Sequence, residues 1–316
     1  MGLKELLTTA VELGGSDVFI IPGSGVMTKI GEEMRQISDG RVMPGDTEAL
    51  VRSMYELAGR DYSILNREGD DDFSFAIQDV SRFRCNAYLQ RGTVAATCRV
   101  VRFDLPDPTR LRIPEIVMKL SELRSGMVLV AGPAGSGKST TLACVVDRIN
   151  STRHAHIVTI EDPIEYIHRH KQSLVSQREV PNDAVTFSRA LRAALRQAPD
   201  VVMLGEMRDS DTISTAITAA ETGHLVLSSL HTIGAARTVD RIIDSFPAEQ
   251  QAQIRLQLSM CLQAVLTQQL IPRKNGGRAL ACEMMVVNDA IRNLIRNGNT
   301  PQIANARSEE HTSELQ

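Results

Sequence analysis

The residues with the most specific chemical spacing are Gly132-Pro133-Ala134-Gly135-Ser136-Gly137-Lys138-Ser139, with Thr140 directly after them. The pattern G-x-x-x-x-G-K-[ST] is what a phosphate cradle requires. Its glycines let backbone N–H groups converge on phosphate oxygens, its lysine reaches the β- and γ-phosphates of ATP, and its serine hydroxyl takes a place on Mg²⁺. The flanks agree. Met127–Ala131 is a continuous apolar run, as in a strand buried on both faces. Ser139–Ile149 has helical spacing, and a helix starting there adds its positive end at the phosphates.

Hydrolysis also needs acids to orient water and hold the metal. Val201–Leu204 is a second apolar strand, ending in Gly205-Glu206 with glycine where an aspartate is usual. His156–Ile160 is a third, followed by Glu161-Asp162-Pro163-Ile164-Glu165. Open α/β sheets bind ligands at strand C-termini. Glu206 and Glu161 are therefore the candidate catalytic acids, Ser139 and Glu206 the candidate Mg²⁺ ligands, and Glu165 is assigned a structural role. His224 and His231 flank the strand Leu225–Ser229, where a histidine could sense the γ-phosphate. Arg82, Arg84, Arg91 and Arg99 lie on or between two strands, Arg82 and Arg84 on the same side. A solvated face accounts for them; so does a reading in which a neighbouring subunit's arginines reach the γ-phosphate.

The elements that must position these residues fall into two groups. In residues 1–102, Asp17–Ile21, the alternating Phe73, Phe75 and Ile77, Arg82–Gln90 and Val94–Arg102 read as strands, and Asp46–Leu57 as a helix. Met1–Leu13 reads as a short amphipathic helix. Residues 103–114 hold three prolines and read as a linker. In residues 115–306 strands alternate with helices, predicted at Glu115–Leu123, Ser139–Ile149, Ala184–Gln197 and Asp209–Thr222, the last closed by Gly223. That order implies a parallel sheet flanked by helices. Ala248–Leu270 reads as one long amphipathic helix, with Ile254, Leu258, Leu262, Val265 and Leu266 along a stripe.

Composition narrows the function. With 316 residues, 42% of them hydrophobic, the chain can fill two cores. A net charge of −3, no tryptophan and 3% aromatics argue against a nucleic-acid partner. The five cysteines are odd in number and never in a C-x-x-C pair, which predicts buried thiols and neither disulfides nor a zinc site. No apolar run is long enough to span a membrane and no signal peptide opens the chain. The expectation is a cytoplasmic protein without direct membrane insertion.

GPAGSGKSTTL (Gly132–Leu142), TIEDPIEYIH (Thr159–His168), PDVVMLGEMRD (Pro199–Asp209) and TGHLVLSSLHT (Thr222–Thr232) together resemble the Walker A, Asp box, Walker B and His box of the secretion ATPase superfamily. SRFRCN (Ser81–Asn86), QREV (Gln177–Val180) and AIRNLIR (Ala290–Arg296) are similar to PilT-type retraction ATPases of type IV pili. The resemblance covers roughly residues 1–306. It implies an α/β protein with a PAS-like N-terminal α+β domain and a RecA-like P-loop ATPase domain, assembled as a homohexamer with ATP between the domains. Lys138 and Ser139 would bind phosphate and Mg²⁺, and Glu161 and Glu206 would be the catalytic acids. His224 and His231 would be the His-box residues, and one of Arg82, Arg84, Arg91 and Arg99 would act on the nucleotide. The implied partner is an inner-membrane pilus platform protein that recruits the motor to the inner face of the cytoplasmic membrane. AIRNLIR matches a segment that retraction ATPases need for motility beyond ATP hydrolysis.

Two alternatives belong to the same superfamily: a pilus assembly or type II secretion motor, and an accessory regulatory ATPase. Assembly and secretion motors commonly carry a four-cysteine metal module, a pattern these cysteines do not form, which favours retraction. Ser228-Ser229 stands where Gly-Thr is usual. Arg307–Gln316 has no family counterpart and reads as translated sequencing-adapter DNA. The ATPase domain is accordingly expected to be truncated and the tail non-native.

Overall fold

The computed structural model describes residues 2–101, 105–273 and 278–303; the Arg307–Gln316 tail lies outside them. The chain divides into two compact units, Met1–Phe103 and Asp104–Gln316.

The first unit runs α1 (Leu3–Glu12), β1 (Asp17–Ile20), β2 (Gly25–Ile30), β3 (Glu33–Arg41), α2 (Pro44–Ala58), α3 (Ser63–Glu68), β4 (Asp70–Ile77), β5 (Ser81–Gln90) and β6 (Thr93–Val101). Its antiparallel sheet has the order β3-β2-β1-β6-β5-β4. Strand alternation decides the faces. On β5, Phe83, Cys85 and Ala87 are buried, while Arg82, Arg84 and Asn86 are half-buried on the other side. The buried face packs on Val51, Met54 and Tyr55 of α2. Cys85 and Cys98 are cross-strand partners, their Sγ atoms 3.6 and 3.7 Å from Met54 Sδ. Buried Asp71 accepts from Arg60 at 2.6 and 2.7 Å and from the Tyr55 hydroxyl at 3.0 Å, so its charge is matched where water cannot solvate it.

The second unit runs α4 (Pro108–Leu111), α5 (Glu115–Met118), a 3₁₀ turn (Lys119–Glu122), β7 (Gly126–Ala131), α6 (Lys138–Thr152), β8 (His156–Glu161), β9 (Leu174–Glu179), α7 (Phe187–Ala194), β10 (Val201–Leu204), α8 (Ser210–Glu221), β11 (Leu225–Leu230), α9 (Ala235–Ile243), α10 (Ala248–Cys261), β12 (Leu262–Pro272), β13 (Arg278–Val286) and α11 (Asp289–Arg296). The sheet order is β13-β12-β7-β11-β10-β8-β9, parallel except for the β12–β13 pair. Helices cover both faces, so alternate residues of β7 enter two separate cores. Met127, Leu129 and Ala131 join one, and Val128 and Val130 the other. This double burial is why β7 and β10 are continuously apolar.

The structure corrects three expectations. The helix expected over Ala248–Leu270 ends at Cys261, and β12 begins at the next residue. Leu262, Ala264, Val265 and Leu266 are buried inside the sheet between β7 and β13, and belong to a strand filling both cores. The helix expected over Ala184–Gln197 is shorter, Phe187–Ala194, because the Thr186 hydroxyl accepts from the Arg189 N–H and starts it there. The helix expected over Glu115–Leu123 is a single α-turn that tightens into the 3₁₀ turn.

Candidate functional site

A cleft of about 500 Å³ opens at the C-terminal ends of β7, β8, β10 and β11. The loop between β7 and α6 forms one wall. Pro133, Ala134 and Gly135 project into solvent, while Ser136 and Lys138 are buried. Gly137 caps α6 at φ +87°, a left-handed conformation that favours glycine, and Gly132 has φ +152°. A Cβ on Gly132 would lie 2.3 Å from the Gln268 carbonyl oxygen, so β12 closes on the loop backbone itself. Lys138 Nζ donates to the carbonyls of Gly132 at 2.9 Å and Pro133 at 3.0 Å. Burial lowers its pKa, and the charges of Glu165 and Glu206 oppose that. Ser139 and Thr140 line the cleft, and Thr140 Oγ1 lies 3.0 Å from the Tyr166 hydroxyl.

Both candidate acids face this space. Glu161 closes β8 and is buried. Its Oε1 accepts from Thr159 Oγ1 at 2.7 Å and from Gln177 Nε2 at 3.3 Å. Burial pushes its pKa up to about 7 against these hydrogen bonds and that of the Glu165 backbone N–H. Glu206 follows β10, its side chain 12% exposed; Arg208 Nη2 is 2.5 Å from Oε1 and His231 Nε2 3.6 Å from Oε2. His231 Nδ1 in turn lies 3.4 Å from Lys138 Nζ, so one imidazole spans the space between the loop lysine and the β10 acid. Gly205 sits between the acids. A Cβ there would touch Glu161 Cα at 3.4 Å, and the Ser229 hydroxyl donates to its carbonyl at 2.6 Å.

His224 is elsewhere. It stands at the opposite end of β11, its Nδ1 3.0 Å from the Ala219 carbonyl at the close of α8. The four arginines belong to the first unit. Arg84 and Arg99 are direct partners across β5 and β6, and Arg99 Nε donates to Asp17 Oδ1 at 2.9 Å. Arg82 is half-buried on the face of Arg84, and Arg91 is exposed in the β5–β6 turn at φ +50°.

Glu165, expected to be structural, is an exposed carboxylate on the cleft wall. Other cleft residues carried no role in the sequence. Arg208 pairs with Glu206, and its place two residues beyond that acid was the available signal. Tyr166 and His168 line the far wall. Burial holds the His168 pKa down to about 4, which keeps its ring neutral at physiological pH. Gln268 of β12 had no signal, because its segment read as helix.

A glycine-rich loop at a helix start, a buried lysine and two acids at neighbouring strand ends are the parts that a P-loop hydrolase uses to hold and split a nucleotide. The family model described as Type II/IV secretion system protein matches residues 110–316, and the chain belongs to that family as one of its P-loop ATPases. Over nearly its full length it is similar to pilus retraction motors. It is 43% identical over 307 residues to the type IV pilus retraction ATPase PilT of Pseudomonas aeruginosa, covering 97% of this chain and 88% of that one. It is 43% identical over 302 residues to a twitching motility protein of Neisseria gonorrhoeae, covering 95% and 80%. The crystal structure of the pilus retraction motor PilT with bound ADP matches with a TM-score of 0.89 and 44% identity, over 98% of this chain and 90% of that chain. Among the described residues no helix is long and apolar enough to cross a membrane.

Proposed function

We propose that this chain is the subunit of a homohexameric motor that hydrolyses ATP to retract type IV pili. The observation that carries the reading is the convergence of Lys138, Ser139, Glu161 and Glu206 on one cleft in a chain related over 97% of its length to a retraction motor. ATP would lay its phosphates along the loop of residues 132–139, with Lys138 leaving the Gly132 and Pro133 carbonyls for the β- and γ-phosphates. The hydroxyl of Ser139 and the carboxylate of Glu206 suit a hard cation, and would hold Mg²⁺, which neutralises phosphate charge. Glu161, poised near neutrality, would orient or deprotonate the attacking water. His231, between Lys138 and Glu206, would register loss of the γ-phosphate, and His224 would serve a separate contact at the other end of its strand. Of the four arginines, Arg99 is held by Asp17, Arg91 lies in the β5–β6 turn, and Arg84, half-buried on the β5 face, is the one we assign to a neighbouring subunit's nucleotide. The motor would act from the cytoplasmic face on an inner-membrane platform protein.

The test is a deletion in the native host, complemented by wild type or by Glu206→Gln. The expected result is surplus, non-retracting pili, restored to normal by wild type alone. A deletion strain without pili would replace retraction by assembly.

A further inference from the structure

The loop's phosphate-binding geometry depends on a residue outside the loop. β12 runs beside β7 with Thr267 opposite Ala131, which sets Gln268 behind the start of the loop. The Gln268 side chain is buried, and its Nε2 donates to the Ser136 carbonyl at 2.8 Å. That carbonyl belongs to the peptide joining Ser136 to Gly137. In a planar trans peptide the C=O and N–H point in opposite directions. Anchoring the Ser136 oxygen against β12 therefore turns the Gly137 N–H away from β12.

The anchor matters because this peptide is free to turn. Gly137 has φ +87° and no side chain, and glycine enters left- and right-handed conformations with similar ease. Without a partner for the Ser136 oxygen, the peptide can flip and present a carbonyl, not an N–H, to a phosphate oxygen. The other loop carbonyls give no substitute. Gly132 and Pro133 use theirs on Lys138, which a bound phosphate would draw away. The opposite amide atom, Gln268 Oε1, is buried without a hydrogen-bond partner, as is Ser136 Oγ. The side chain is thus kept at a polar cost to folding, which fits a positioning role better than a packing one.

We propose that Gln268 is a positioning residue for nucleotide, acting through the Ser136–Gly137 peptide to aim the Gly137 N–H into the phosphate cradle. The inference rests on the ATPase reading of the cleft and adds a residue to it. Because Gln268 touches the loop and not the reacting atoms, its loss should act on binding and leave turnover at saturation nearly intact.

The experiment compares wild type, Gln268→Leu and Gln268→Glu by displacement of a fluorescent ATP analogue, steady-state ATPase kinetics and thermal unfolding without nucleotide. Leucine removes the donor and the unpartnered oxygen together; glutamate keeps the shape but sets an acceptor against the Ser136 carbonyl. Both should weaken ATP binding and raise KM at least tenfold, keep kcat within threefold, and leave leucine's unfolding midpoint close to wild type. The role is overturned if either folded variant binds ATP within twofold of wild type, or if kcat falls while affinity holds. Wild-type protein that fails to bind ATP would instead remove the reading of the cleft, so the two failures are distinct.

Discussion

Replacing Glu161 by glutamine should stabilise the second unit while stopping its chemistry, and the stabilisation should depend on pH in a calculable way. Burial moves the Glu161 carboxyl from its ordinary 4.5 up to about 7. Between those values the folded unit keeps a proton that the unfolded chain releases, so wild-type stability falls as pH rises through the window. At 1.36 kcal/mol per pH unit the loss reaches about 3 kcal/mol by neutral pH and is constant above it. Glutamine mimics the protonated side chain, including its acceptor for Thr159 and Gln177, and does not titrate. The variant should unfold close to wild type near pH 4.5 and roughly 6–12 °C higher at pH 8, taking about 2–4 °C per kcal/mol for a unit of this size. Scanning calorimetry of the nucleotide-free protein at pH 5, 6.5 and 8 reads this directly, with ATPase activity measured alongside. A difference independent of pH, or a variant less stable at pH 8, would falsify the account of Glu161 as a carboxylate strained by burial.

Glu206→Gln should bind ATP with affinity near wild type, yet lose activity by about 10²-fold or more, seen in single-turnover assays. Gly132→Ala should abolish nucleotide binding and cost about 2 kcal/mol or more, because its methyl meets the Gln268 carbonyl and Gly132 has φ +152°; isothermal titration and denaturant melts test both halves. Arg60→Met should destabilise the first unit by about 3–5 kcal/mol by leaving Asp71 buried with only the Tyr55 hydroxyl, detectable as a lower urea midpoint. Arg292→Leu removes a guanidinium that donates to the Ser259 and Met260 carbonyls at 2.7 and 3.0 Å, the closing turn of α10; a loss of about 1–2 kcal/mol is expected by thermal unfolding.

What could be read in advance follows burial. The strands β7, β8, β10 and β11 are enclosed on both faces, so their residues are mostly apolar, with small or hydroxyl side chains such as Thr159, Ser228 and Ser229 among them. The motifs sit at the strand ends, and the loop, Glu161, Glu206 and His231 could be named together. The edges were illegible for the same reason. β3 is exposed for most of its length and β9 buries one side only, so neither has an apolar signature. β12 was misread because an apolar run continues the spacing of Ile254 and Leu258 without a break, and periodicity alone does not separate a buried strand from a helix. That error hid Gln268. Arg208 was missed for another reason: a charged residue in a loop looks solvated until the fold brings an opposite charge to it, here Glu206.

The His box is contiguous in sequence and divided in space. β11 is buried at all six positions and paired in parallel register to β7 and β10. At ~3.3 Å per residue it holds His224 and His231 roughly 20 Å apart. A strand laddered on both flanks does not slide alone, so the two rings have no private route of communication. Their substitutions should be additive, with a coupling near zero in a double-mutant cycle. A single signature would then encode two independent devices, one reading phosphate and the other fastening the end of α8.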